Sequence, residues 1–276
     1  MSARPDPTAD DDLWLRCYRK TEAPAARLVC FPHAGGTAPF YRPVPYALAA
    51  ADRVEVLAVQ YPGRQDRRRE QPIADLNVLA DRIHEVLARQ PELPLVLFGH
   101  SMGAVVAFEV ARRCEAAGRP AARLVVSGRR GPAIGLGPTE GVHLLGDDAI
   151  TDEIRRLDGS SSVVLDDPDL MAAAMPALRA DYRAIETYRA GADAVVSCPI
   201  TSLTGDRDPK TSVAEAEDWR AHTTGGFDLQ VFPGGHFFLT EEMPRVIGLL
   251  DGHLAEAVDA PRALRRERRS GRQGVR

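Results

Sequence analysis

Six short runs constrain the fold more than any other feature of this chain. Residues 27–32 (RLVCFP), 53–60 (RVEVLAVQ), 94–99 (PLVLFG), 123–127 (RLVVS), 198–204 (CPITSLT) and 227–232 (FDLQVF) are mostly apolar and often β-branched. Runs of that length that are apolar on both faces suit buried parallel strands covered by helices. Helical patterns separate them. Over residues 73–88, Ile73, Leu76, Leu79, Ala80, Ile83 and Leu87 fall on one stripe, and residues 102–117, 213–222 and 243–258 continue the alternation. The pattern predicts an α/β fold: a doubly wound, mostly parallel central sheet with helices on both faces. Residues 13–18 alternate apolar and polar side chains, as a half-exposed strand does.

One segment breaks the rhythm. From about residue 129 to residue 193 no strand is predicted. An acidic helix is expected near residues 147–157, and a longer one over residues 168–188, where Met171, Met175, Leu178, Tyr182, Ile185 and Tyr188 recur at steps of three and four. Pro176 is expected to kink or divide that helix. A helical insertion between two sheet strands is expected to cap the sheet's C-terminal edge as a lid, over the place where ligands bind in such folds. The domain is therefore read as residues 13–258. It is flanked by disordered tails at 1–12, rich in Pro and Asp, and at 259–276, where residues 261–276 hold seven Arg and one Glu.

Charge and composition exclude several functions. The 35 Lys and Arg against 39 Asp and Glu give a net charge of −4, which argues against nucleic acid as the main ligand. No apolar run reaches the roughly 18 residues of a membrane span, and the acidic N-terminus has no signal-peptide core, so a cytoplasmic protein without a membrane partner is expected. Cys17, Cys30, Cys114 and Cys198 lie far apart with no CxxC, so neither a disulfide framework nor a zinc site is expected. No P-loop, GxGxxG or HExxH motif is present, and no metal or organic cofactor is expected.

The chemistry is predicted at strand ends. Gly99-His100-Ser101-Met102-Gly103 matches GxSxG, follows the strand PLVLF and opens the helical run AVVAFEVARR. That is the strand–turn–helix context of a nucleophile elbow, whose tight turn lifts a serine hydroxyl to the sheet's rim. A serine nucleophile needs a base, and the base an orienting acid, in the chain order Ser, Asp or Glu, His on this fold. The strand CPITSLT runs into Gly205-Asp206-Arg207-Asp208-Pro209, and LQVF runs into Pro233-Gly234-Gly235-His236. His236 is the predicted base. Asp206 and Asp208 both fit the acid; Asp208, just before Pro209, resembles the usual position in hydrolases of this fold, and Asp206 is read as a loop cap. His84, His143, His222 and His253 are read as surface or structural, and His100 as pointing away from the base position. The glycine-rich turn Pro32-His33-Ala34-Gly35-Gly36 lets backbone N–H groups approach a developing oxyanion, so the oxyanion hole is assigned to the N–H of Ala34 and of Met102. The run Arg64, Arg67, Arg68, Arg69 is a candidate contact for phosphate or an acidic protein.

Taken together, FPHAGGTAPFY, QYPGRQDRRRE, FGHSMGA, VSGRRGP, MPALRADYRAIETY, LTGDRDP and FPGGHFFL resemble the type II thioesterases of polyketide and nonribosomal peptide synthesis, members of the α/β-hydrolase superfamily. The resemblance runs from about residue 13 to residue 255. It implies a Ser101–His236–Asp208 triad, oxyanion donors at Ala34 and Met102, and removal of stalled or wrong acyl groups from the 4'-phosphopantetheine arm of acyl or peptidyl carrier proteins. A freestanding monomer is expected. A small-molecule carboxylesterase with the same triad and a non-catalytic binding protein of this fold are the alternatives. RRGP departs from the family, which has Ala before the Pro, and Gly131 is expected to loosen the lid hinge. Gly159-Ser160-Ser161-Ser162 also departs from it.

Overall fold

A computed structural model describes residues 7–135, 141–158 and 167–273, so the GSSS departure lies outside the described residues. Seven strands form one sheet: β1 (Leu15–Cys17), β2 (Ala26–Phe31), β3 (Val54–Val59), β4 (Leu95–His100), β5 (Arg123–Ser127), β6 (Ile200–Gly205) and β7 (Phe227–Phe232). Their order is β1-β3-β2-β4-β5-β6-β7. Only β1 runs antiparallel, pairing Leu15 with Val59, and the other pairs are parallel.

The helices are α1 (Pro7–Trp14), α2 (Val44–Ala47), α3 (Leu76–Arg89), α4 (Met102–Ala116), α5 (Asp147–Asp158), α6 (Pro168–Thr187), α7 (Val213–Glu217), α8 (Phe238–Glu241) and α9 (Met243–Gln273). Strand side chains alternate between two apolar layers, as the period of two requires. Val29, Phe31, Leu95 and Leu97 enter one layer with α3 and α4, while Leu28, Cys30, Val96 and Phe98 enter the other with α2 and α9. Asp75 caps α3, its carboxylate accepting the N–H of Asn77 and Val78, which are among the donors a helix start leaves unpaired. All four cysteines are free thiols.

The strand order sets the site. The chain leaves β2 toward β3 on one side, and leaves β4 toward β5 on the other. The crevice between such diverging connections is where ligands bind in open α/β sheets. Here it is lined by the turns that follow β2 and β4.

Several elements differ from the sequence expectations. β7 is an edge strand with Asp228 and Val231 exposed, because among the described residues no further strand pairs with its outer side. Leu13 belongs to α1 rather than to a strand, so the predicted strand shrinks to Leu15–Cys17. Residues 213–222 divide into α7 and a 3-10 turn at Asp218–His222. Helix α6 continues through Pro176, which sits on its exposed side beside the exposed Ala172, so the carbonyl that proline cannot bond faces water. Helical backbone also extends into both segments expected as tails, as α1 and as the end of α9. In α9 the Ala, Leu, Arg and Glu residues are good helix formers, and they prolong an existing helix without a new nucleus. Gly131 does not act as a loose hinge. It is buried, its N–H donates to Glu215 O at 3.1 Å, and a Cβ there would lie 2.9 Å from Asp218 Cβ.

Candidate active site

Ser101 sits between β4 and α4 with φ 54° and ψ −118°, outside the conformations L-residues favour. Its N–H donates to Ser127 O at 2.7 Å, which fastens the turn to β5. The two glycines of the motif have separate steric causes. A Cβ at Gly99 would lie 2.0 Å from Gly103 O, and one at Gly103 would lie 2.1 Å from Phe31 O. The turn is thus too tight for a side chain at Gly99, and α4 too close to the end of β2 for one at Gly103.

The three side chains predicted at separate strand ends come together. Ser101 Oγ lies 3.0 Å from His236 Nε2, and His236 Nδ1 lies 2.9 Å and 3.1 Å from Asp208 Oδ2 and Oδ1. The Asp208 side chain is 0% exposed and that of His236 is 3% exposed. With a carboxylate facing Nδ1, the ring proton sits there and Nε2 is left to accept the serine proton. Lys210 N–H donates to Asp208 Oδ1 at 2.8 Å and orients the carboxylate further. Asp206 faces elsewhere: its Oδ1 accepts Gly234 N–H at 2.8 Å and braces the turn that carries His236.

Ala34 follows β2 and Met102 follows β4, neighbouring strands of the sheet, at this same edge. Met102 is the first residue of α4, whose leading N–H groups have no intrahelical acceptor. Ala34 lies in a turn closed by Gly36 N–H donating to His33 O at 2.9 Å. Ser101, His236 and Ala34 border a cavity of about 540 Å³ whose far wall is helical and apolar, with Ile154, Leu170, Met171, Ala174, Leu178 and Ile185. Among the described residues no group of three or more His, Cys, Asp or Glu could hold a metal ion.

The four arginines do not form one surface. Arg64 and Arg67 are buried, which corrects their reading as a docking contact. Arg64 makes a two-pronged pair with Asp181, at 2.5 Å to Oδ2 and 2.8 Å to Oδ1. Arg67 is held by Glu70, by Gln60 O and by the Trp14 ring 4.1 Å away. A buried guanidinium needs such partners. Arg68 and Arg69 are exposed, and Arg68 borders the cavity.

Sequence reasoning missed two groups around the site. Lys210 and Glu153 form a buried ion pair that ties α5 to the Asp208 loop. His33 and His100 pack beside His236. His100 lies 5.1 Å from the His236 ring, 6.0 Å from His33 and 5.3 Å from Phe237, with its Nδ1 on Ser127 Oγ at 3.0 Å. Their position within the GxSxG and PHAGG motifs was the available signal, but neither motif says which way a ring turns. Burial above all, with the His236 and Arg64 charges adding to it, pushes His33 down to about 3, and burial holds His100 well below its ordinary value.

Both rings therefore stay neutral when folded, whereas in the unfolded chain they protonate near the usual 6.5. Below that pH the unfolded state binds more protons, so their contribution to stability is present above about 6.5 and is lost as pH falls toward 3. The urea midpoint is expected to fall between pH 7.5 and pH 5, and to fall less in His33→Gln. An unchanged slope in that variant would contradict a neutral His33 in the folded protein.

A thioesterase domain family model matches residues 26–254. The chain is 51% identical over 261 residues to the probable cadicidin biosynthesis thioesterase of Streptomyces griseus, covering 94% of this chain and 70% of that protein. It is 43% identical over 258 residues to thioesterase PikA5 of Streptomyces venezuelae, covering 92% and 90%. Among solved structures it is similar to the type II thioesterase BorB from the borrelidin biosynthetic cluster. The TM-score is 0.81 at 46% identity, with 92% of this chain and 100% of that one covered. The chain belongs to the thioesterase domain family and has its α/β-hydrolase fold.

Proposed function

We propose that the protein is a serine thioesterase that clears stalled or aberrant acyl groups from the phosphopantetheine arm of carrier proteins in polyketide or nonribosomal peptide biosynthesis. The observation that carries this reading is the hydrogen-bonded series Asp208–His236–Ser101 opening on an apolar cavity of about 540 Å³. An acyl chain suits such a wall, while the reacting carbonyl lies against polar groups. The biosynthetic settings of the relatives, including PikA5 and BorB, support a carrier-bound substrate. The monomeric state and cytoplasmic location belong to the same proposal. Among the described residues no helix is long and apolar enough to cross a membrane.

In the mechanism His236 Nε2 takes the Ser101 proton as Oγ attacks the thioester carbonyl, and the new oxyanion is held by the N–H groups of Ala34 and Met102. Each such donor is typically worth about 10²–10³ in rate. Collapse breaks the C–S bond. The thiol, whose pKa is about 8.5, leaves with little help from the imidazolium, which supplies its proton. Water, giving its proton to the same nitrogen, then attacks the acyl-serine, and collapse returns the proton to Oγ and releases the carboxylic acid. Asp208 keeps the ring in the required tautomer and stabilises its cation. Helices α5 and α6 act as the lid.

The test is intact mass of an acetyl-loaded carrier protein incubated with wild type and with Ser101→Ala. The acetyl mass is expected to disappear with wild type, and Ser101→Ala to be slower by roughly 10⁴-fold or more. Turnover of p-nitrophenyl esters with no acyl loss from any loaded carrier would favour the carboxylesterase reading instead. Asp208→Asn is expected to lower kcat by roughly 10⁴-fold through the wrong tautomer. Asp206→Asn, which keeps an acceptor for Gly234 N–H, should change kcat only slightly; the reverse ranking would overturn the choice of acid. Arg68 and Arg69 are the remaining candidates for the phosphate or the carrier. Their joint exchange for Ala should raise KM for carrier-bound acyl groups and spare small thioesters, and an equal loss on both substrates would refute the contact.

A further inference from the structure

The buried Arg64–Asp181 pair joins three segments far apart in sequence. Arg64 follows β3 in the YPGR segment, Asp181 lies in α6, and both reach the turn after β2. Asp181 Oδ2 accepts the N–H of Gly35 at 2.8 Å as well as Arg64 Nη1. Arg64 Nη1 also donates to Gly36 O at 3.3 Å, and Tyr61 Oη from the same segment donates to Pro32 O at 3.0 Å. The peptide unit after Ala34, through Gly35 N–H, and the carbonyls of Pro32 and Gly36 that flank the turn are therefore held by side chains outside the turn. Gly35, at φ 75°, packs under Leu178 of α6, one turn from Asp181: a Cβ there would lie 2.4 Å from Leu178 Cδ2. The Arg64 and Asp181 side chains are 8% and 2% exposed. Burying an ion pair is costly in desolvation and seldom the cheapest way to stabilise a fold, so its use is sought in the geometry it enforces.

We infer that Arg64 and Asp181 are positioning residues for catalysis: through Gly36 O and Gly35 N–H they fix the turn just after Ala34 so that the Ala34 N–H faces the developing oxyanion, and they make α6 part of that device. The inference rests on the thioesterase reading above. The oxyanion donor then depends on the helix over the acyl cavity, and a displacement of about 1 Å in such a group can cost about 10²-fold in rate.

Removing one partner alone strands a buried charge and threatens the fold. The test therefore removes both charges at once, in Arg64→Met with Asp181→Leu, and compares it with Arg64→Lys, which keeps the charge and loses the planar fork. Thermal melts by circular dichroism establish that each variant is folded, and fluorophosphonate titration counts its active sites. With a small acetyl thioester the double variant is expected to lose about 10²-fold in kcat per titrated site with KM nearly unchanged, and Arg64→Lys to fall between it and wild type. A trifluoromethyl ketone, which forms an anionic tetrahedral adduct on serine, should bind more weakly in step with the loss of kcat/KM. A folded double variant with wild-type kcat would overturn the positioning role alone, as would loss of kcat with undiminished ketone affinity. Absence of Ser101-dependent turnover in wild type would refute the thioesterase reading and this inference with it.

Discussion

The contact of Gly103 with the carbonyl of Phe31 is the constraint on which the rest of the site depends. At 2.1 Å from a would-be Cβ, it brings the start of α4 against the end of β2. Two consequences follow from that approach. The turn from β4 into α4 becomes tight enough to force Ser101 into positive φ, lifting its hydroxyl clear of the sheet. The start of α4 also comes beside the turn that carries Ala34, which brings together the two segments whose N–H groups are proposed above as the oxyanion donors. A larger residue at position 103 would separate nucleophile and oxyanion turn together.

Around this contact the polar groups are graded by burial and partner. His236 has a carboxylate on one nitrogen and the serine on the other, whereas its neighbours His33 and His100 have no carboxylate and are enclosed by aromatic rings. In a low dielectric an imidazole without an anionic partner stays neutral. Of these neighbouring rings, His236 is the one that Asp208 faces. The ion pairs of the helical insertion serve the same geometry. Lys210 with Glu153 anchors α5 beside the acid loop, and Arg64 with Asp181 anchors α6 to the oxyanion turn. Tyr188, just past α6, donates to Glu109 of α4 at 2.6 Å, so the covering helix is also tied to the nucleophile's own helix.

Much of this was legible before any coordinates. The doubly apolar runs specified a parallel sheet because each face needs a helical cover, and GxSxG, GDRDP and GGH each followed a strand in the chain order used on this fold. Asp208 was separable from Asp206 by its place before Pro209, and the two carboxylates do divide the work, one facing His236 and the other bracing its turn. Local signals failed where neighbours decide. Residues 227–232 read as a buried strand, since periodicity carries no information about whether another strand lies alongside. Arg64 and Arg67 read as part of a contact for phosphate or an acidic protein, since nothing in QYPGRQDRRRE says that Asp181 and Trp14 will close over two of its arginines.

Sequence alone determined the alternation of strands and helices and the placing of Ser101, Asp208 and His236 directly after strand ends, because each is set by a short-range relation between a strand end and the residues that follow it. Tertiary structure decided which charges are buried, which imidazoles stay neutral and how the helical insertion grips the oxyanion turn. Those properties depend on desolvation and on partners brought from distant segments, as with Arg64 and Asp181, 117 positions apart, and no local pattern encodes the meeting of two such segments.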